Sequence, residues 1–153
     1  IRSLRAAETV EPLDAGGTIY LSYRPEDEQY AISLAKLLKQ RNAKPVLRAT
    51  QGQSEELIKF HRDRLRLCDS VIVCWAATSE VAARVMWEEL EDWRAIGRTK
   101  QFSRRGLIAG PPPSSLKQNV DVLFPTNQID FIADLTSRDH PAIEDLKPLF
   151  GID

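Results

Sequence analysis

The chain has 153 residues, enough for one domain with a real core and too few for two. Lysine plus arginine number 21 against 22 aspartate plus glutamate, a net charge of −1, so no bulk electrostatic pull toward nucleic acid or an anionic membrane is expected. Hydrophobic residues at 42% and charged residues at 28% exclude a disordered chain, and the longest apolar run, Val71 to Ala77, is far below the roughly 20 residues a membrane span needs.

Two cysteines, Cys68 and Cys74, make neither a disulfide framework nor a zinc-ligand spacing. The expectation is a soluble, cytoplasmic protein that holds no metal and contacts neither nucleic acid nor membrane. The chain starts at Ile1 and shows no secretory pattern, which predicts a domain cut from a larger parent protein.

Residues 1–17 have mixed charge and no sustained period, and they end in Ala15-Gly16-Gly17; this is linker composition, with the folded domain expected over 18–153. Thr18–Tyr23 is β-branched, aromatic and apolar at almost every position, the pattern of a strand buried on both faces. Pro25, Glu26, Asp27 and Glu28 then signal a helix start, the acids complementing the helix dipole. Ala31, Leu34, Ala35 and Leu38 recur at helical spacing, and Asn42 marks a stop.

Pro45–Leu47 predicts a short second strand. After a turn at residues 50–53, Ser54 opens a second helix that carries Leu57, Ile58, Leu65 and Leu67 and ends near Cys68. Ser70–Trp75 is the strongest strand pattern in the chain. Ser79 caps a third helix that is expected to run from Glu80 to Ile96 and stop at Gly97. Gly106–Ala109 is a fourth strand, closed by Gly110 and three prolines. Asp130–Leu135 reads as a short strand or a helical turn, and Ala142–Phe150 as a short helix.

Apolar strands alternating with helices predict an α/β fold, a flavodoxin-like parallel sheet with helices on both faces. Such sheets bind ligands at the carboxyl ends of their strands. That singles out Ser22 to Asp27, Ala49 to Ser54, Trp75 to Ser79 and Ala109 to Ser115. No Gly-rich phosphate loop follows a strand, since Gly16-Gly17 precedes the first one. His61 stands among Arg62, Arg64 and Arg66 and reads as a solvated surface residue, and His140 as a loop residue without a neighbouring nucleophile.

The third helix separates two adjacent glutamates. At 100° per residue, Glu89 falls within about 40° of Ala82, Val85 and Trp93, and one turn from Met86. Glu88 falls beside Arg84 and Asp92 on a polar face. An apolar surround disfavours a charged carboxylate, one way in which catalytic carboxyls are prepared; the alternative is a boundary glutamate reaching for water along its stem.

These residues resemble a family. Ile19-Tyr20-Leu21-Ser22-Tyr23-Arg24, with Asp27 and then Ala35-Lys36-Leu37-Leu38, is similar to the first strand and helix of Toll/interleukin receptor (TIR) domains. Gly52 followed by Glu56-Leu57-Ile58 resembles their BB loop and second helix, and Cys68-Asp69-Ser70-Val71-Ile72-Val73 their third strand. Glu89-Leu90 resembles their helix-borne glutamate–leucine pair, and Gly106-Leu107-Ile108 with the proline loop their fourth strand. The resemblance spans Thr18 to Pro113 and continues more weakly to Phe150. The proline loop and the stretch from Phe124 to Leu135 look like bacterial TIR domains attached to larger defence proteins.

The resemblance implies an NAD+ glycohydrolase that cleaves the nicotinamide–ribose bond. NAD+ would be its substrate, with no cofactor and no metal, and Glu89 the essential carboxylate contacting the ribose. It also implies antiviral defence within a larger parent protein and activation by self-association through TIR–TIR contacts. Ser22, Tyr23, Arg24, Gln51, Gly52 and Val85 would line the substrate site. Arg24 would contact phosphate or ribose, and the loop around Gln51 and Gly52 would meet a neighbouring copy.

The sequence departs from the family pattern at Val85, where the enzymes often carry tryptophan, and at Arg48-Ala49, where an acid commonly ends the second strand. A non-enzymatic TIR scaffold is the alternative. A receiver domain of the same topology is disfavoured, because Gly16-Gly17-Thr18 precedes the first strand and the third ends at Cys74-Trp75, without the acids that would hold Mg²⁺ and accept a phosphoryl group.

Overall fold

The structure, a computed structural model, describes residues 18–49, 51–124, 126, 129–137, 140–142 and 144–146. The expected linker at 1–17 lies outside the described residues, as do residues 143 and 147–150 of the expected last helix; residues 144–146 form a 3-10 turn.

Five strands build one sheet: β1 (Thr18–Ser22), β2 (Lys44–Val46), β3 (Ser70–Trp75), β4 (Arg104–Ala109) and β5 (Asp130–Asp134). Their order is β2-β1-β3-β4-β5, and every neighbouring pair is parallel. This is the flavodoxin-like arrangement the alternation predicts. The register sets Ile19 opposite Ser70 and Ser70 opposite Arg104. Asp130–Asp134 is therefore an edge strand and not a helical turn, tied to β4 by the buried Arg105–Asp130 pair, Nε to Oδ1 2.6 Å.

A 3-10 turn (Pro25–Asp27) leads into α1 (Glu28–Gln40); α2 (Ser54–Leu67) and α3 (Glu80–Glu91) follow β2 and β3. Gln53, and not Ser54, occupies the cap of α2, and its N–H donates to Glu56 Oε1 at 3.0 Å. Ser79 caps α3 as expected, its Oγ accepting from Ala82 N–H at 3.1 Å. The single helix expected over 80–96 breaks at Asp92 (φ −97°, ψ 45°) and resumes as α4 (Trp93–Ile96), with Gly97 at φ 104°. Short α5 (Ser115–Gln118) and α6 (Val120–Leu123) follow β4.

Strand alternation divides the core in two. Ile19, Leu21 and Tyr23 face one side with Ile72, Cys74 and Ile108, covered by Ala31, Leu34 and Leu38 of α1. Tyr20 faces the other with Val71, Val73, Trp75 and Leu107, covered by Leu65 of α2 and by Ala83, Met86 and Leu90 of α3. Both cysteines are free, Cys74 in the first half-core and Cys68 in the second.

One turn joins the carboxyl ends of three strands. Asp27, read from the sequence as a first-turn acid, is instead buried, and its carboxylate accepts the N–H groups of Ala76 (3.0 Å), Ala77 (2.7 Å) and Thr78 (3.3 Å). Lys117, also buried, donates its Nζ to the carbonyls of Ala76 (2.6 Å), Gly110 (2.8 Å) and Pro112 (2.8 Å). Each buried amide donor left unpaired costs about 1–3 kcal/mol. Asp27→Ala is therefore expected to lower unfolding free energy by about 2–4 kcal/mol, read from urea unfolding midpoints at unchanged slope.

The chain's three tyrosines also report on the core. Burial is the main cause that pushes the Tyr23 phenol up to about 12, and it holds Tyr20 and Tyr30 further above the ordinary value near 10. Above about pH 10 the unfolded chain releases phenolic protons that the folded chain retains, so stability is present below that pH and declines as pH climbs toward about 12. Ultraviolet titration should show tyrosinate only as the protein unfolds, with no separate native-state step near pH 10.

Candidate functional site

A cavity of about 960 Å³ opens between α2 and α3. Leu57, Ile58, His61, Arg62 and Leu65 line it from α2; Val81, Ala82, Val85, Met86 and Glu89 from α3; and Ala95 and Ile96 from α4. Arg24 and Arg48 reach it from the segments after β1 and β2, which places one end at the carboxyl edge of the sheet.

Glu89 and Glu88 part as the helical wheel requires. Ala82, Val85, Met86 and Glu89 share the cavity stripe, while Glu88 is exposed. Arg84, exposed like Glu88, pairs with Glu80 one turn before it, Nε to Oε2. One detail of the wheel does not hold. Asp92 lines the cavity and Trp93 lies beyond the break, because the helix ends before either reaches its extrapolated angle.

His61 is the main correction. It is no solvated surface residue: its side chain is 12% exposed and sits between two polar groups. Tyr20 Oη lies 2.8 Å from its Nδ1, and its Nε2 lies 3.1 Å from Glu89 Oε1 and 3.3 Å from Oε2. Three elements thus converge on Glu89: β1 through Tyr20, α2 through His61, and α3 itself. Glu89 remains 39% exposed toward the cavity. The signal lies in the spacing. His61 stands four residues after Leu57 and four before Leu65, on the apolar stripe that faces the cavity, with Arg62 at its edge.

Of the other residues named from the sequence, Arg24 and Val85 line the cavity, and Ser22, Tyr23, Gln51 and Gly52 do not. Tyr23 has the parity of Ile19 and Leu21, so its ring enters the α1 half-core. Its hydroxyl donates to the Arg48 carbonyl at 3.1 Å, and Arg48 Nη1 donates back to the Tyr23 carbonyl at 3.1 Å. This reciprocal pair carries Arg48 to the cavity wall. Ser22 is buried at the end of β1, and its Oγ has no hydrogen-bond partner among the described residues. Gln51 and Gly52 are exposed on the loop before α2, where Gly52 takes φ +134°, a conformation that strains any residue with a Cβ.

The cavity wall carries Arg24, Arg48 and Arg62 against the carboxylates Glu89 and Asp92. Arg24 and Arg48 follow β1 and β2, Arg62 lies on α2, and the two acids stand on α3 and at its end, so the two signs come from different walls. Among the described residues, no three His, Cys, Asp or Glu side chains are grouped to hold a metal, and no helix is long and apolar enough to cross a membrane.

No protein-family model matches the chain, and no curated protein matches it in sequence. Among solved structures it is similar to a CMP N-glycosidase of Clostridium botulinum, with 11% identity and a TM-score of 0.43 over 84% of this chain and 93% of that one.

Three guanidinium groups lining one cavity predict selectivity for phosphate-bearing ligands. Calorimetry should detect ADP-ribose binding and much weaker adenosine binding. Arg62→Ala should weaken ADP-ribose about tenfold, the loss of one charge-assisted contact, and leave adenosine unchanged.

Proposed function

We propose that the chain is an N-glycosidase that cleaves NAD+ at the nicotinamide–ribose bond, with Glu89 as the residue that acts on the ribose. The observation that carries this reading is a carboxylate fixed on the wall of a cavity otherwise rich in arginine. The cavity volume accommodates a dinucleotide, and the arginines suit its pyrophosphate. The TIR resemblance supports the same residue, Glu89 of the Glu89-Leu90 pair.

The chemistry follows from the substrate. In NAD+ the nicotinamide ring nitrogen carries a positive charge. When its bond to ribose C1′ breaks, the electron pair goes to that nitrogen and neutral nicotinamide departs without a general acid. The ribose becomes oxocarbenium-like, and an anionic carboxylate beside it stabilises that charge. Water then adds to C1′ and loses one proton, which leaves ADP-ribose. A carboxylate that is already oriented acts without reorganising at the moment of bond breaking.

Self-association through the loop of residues 51–53, inside a larger bacterial defence protein, belongs to the same proposal. The loop is exposed beside the α2 end of the cavity. A second reading, a TIR scaffold that binds another TIR domain, is favoured by one observation: Ile58, Val81 and Val85 are exposed apolar residues of the cavity lining.

The deciding experiment is nicotinamide release from NAD+ by the purified chain, by Glu89→Gln and by Glu88→Gln, across a dilution series. Glu89→Gln keeps shape but loses charge, and its turnover is expected to fall at least ~100-fold, the scale of removing one preorganised electrostatic contact. Glu88→Gln should match wild type, and specific turnover should rise with protein concentration. Equal activity in the two variants, or loss only in Glu88→Gln, rejects the role of Glu89. Absence of nicotinamide release at every concentration favours the scaffold.

A further inference from the structure

We propose that Tyr20 and His61 form a relay that positions Glu89, with His61 held as the Nε2–H tautomer, Tyr20 donating to Nδ1, and Nε2–H donating to both oxygens of the Glu89 carboxylate. For its catalytic consequence this rests on the reading of Glu89 given above; the relay itself rests on the geometry alone.

The hydrogen-bond inventory selects the tautomer. An ionised carboxylate only accepts, a phenol has one O–H to give, and a neutral imidazole has one N–H and one lone-pair nitrogen. With the proton on Nε2, all three groups are paired: Tyr20 Oη to Nδ1 at 2.8 Å, and Nε2 to Oε1 and Oε2 at 3.1 and 3.3 Å. With the proton on Nδ1, the Nε2 lone pair would face the carboxylate oxygens at those same distances. Nδ1–H would then point at the phenol oxygen, and the phenol O–H would need another acceptor. Burial of the Tyr20 phenol keeps it protonated, which suits it to donate.

The relay does work that α3 alone cannot do. A glutamate side chain on a helix surface has three rotatable bonds, and an exposed carboxylate samples many positions. Here one N–H spans both carboxylate oxygens from a His61 side chain that is 12% exposed, while the Glu89 side chain is 39% exposed and lines the cavity. Tyr20 belongs to β1, an interior strand paired on both sides, and it is buried in the half-core under α2 and α3, so the carboxylate is referenced to the sheet. His61 and Tyr20 are positioning residues in this scheme, and only Glu89 touches the ribose.

The test has two arms on the full chain. In the first, imidazole ¹⁵N spectra are recorded, His61 being told from His140 by the variant His140→Gln. The expected wild-type pattern is protonated Nε2 and unprotonated Nδ1, with the preference relaxing in Tyr20→Phe and Glu89→Ala. A wild-type Nδ1–H tautomer, or a pattern indifferent to both substitutions, overturns the relay.

In the second arm, His61→Ala is expected to lower kcat for NAD+ about tenfold or more, the scale of misplacing a reacting group, with KM within about twofold. His61→Gln, whose amide N–H still donates, should recover part of that loss, and Tyr20→Phe should fall between. Unchanged kcat, or a loss confined to KM or tracking unfolding, overturns the positioning role. If His61→Ala does not fold, Tyr20→Phe decides this arm. If wild type releases no nicotinamide, the NAD+ reading fails while the spectra still decide the relay.

Discussion

The site depends on how the backbone of one residue, Ala76, is held on both sides. Its N–H is taken by the Asp27 carboxylate and its carbonyl by the Lys117 ammonium, both buried charges. Each charge has further partners, Ala77 and Thr78 N–H for Asp27, Gly110 and Pro112 carbonyls for Lys117, so neither is left bare in the interior. Burial lowers the Lys117 pKa, and the facing Asp27 charge opposes that shift. The turn at residues 76–78 leads directly to the Ser79 cap, which fixes where α3 begins. Glu89 lies nine residues beyond Glu80, about 14 Å along the helix at 1.5 Å per residue. A shift of the turn would move the carboxylate with it.

Much of this architecture is legible in the sequence, because it rests on patterns with a fixed period. Unbroken apolar runs mark β1 and β3 as buried on both faces, and the bounds of β3 match the run Ser70–Trp75. The split between Glu88 and Glu89 is equally legible, since neighbours on a helix differ by 100°. Tyr23 stands at the strand's carboxyl end, but the period of two, not proximity to that end, decides where its ring goes. Odd positions of β1 face α1 and even ones face α2, which makes Tyr20 the tyrosine on the site side.

His61 and Asp92 fail for different reasons. The arginines beside His61 are its neighbours along the chain, but the residues that share its helix face are Leu57 and Leu65, and those decide its surroundings. Asp92 gave no periodic warning. The break brings Trp93 and Ile96 against the same half-core as α3. Hydrogen bonds between distant residues, such as Tyr20 to His61 across 41 positions, have no periodic signature.

The remaining requirement is that α2 not slide against α3, because His61 and Glu89 stand on different helices. Both ends of α2 are restrained. At its start, Glu56 accepts the Gln53 N–H. At its end, Arg98 Nη1 donates to the carbonyls of Leu65 (2.9 Å), Arg66 (3.3 Å) and Cys68 (2.6 Å), where the helix dipole favours a cation. Arg98 also stacks over Phe102, 4.0 Å from the ring centroid, just ahead of β4. The same guanidinium therefore ties the C-terminus of α2 to the segment that follows α4. With α3 set by the turn at Ala76 and the end of α2 by Arg98, the His61–Glu89 distance is held by contacts outside the two side chains themselves.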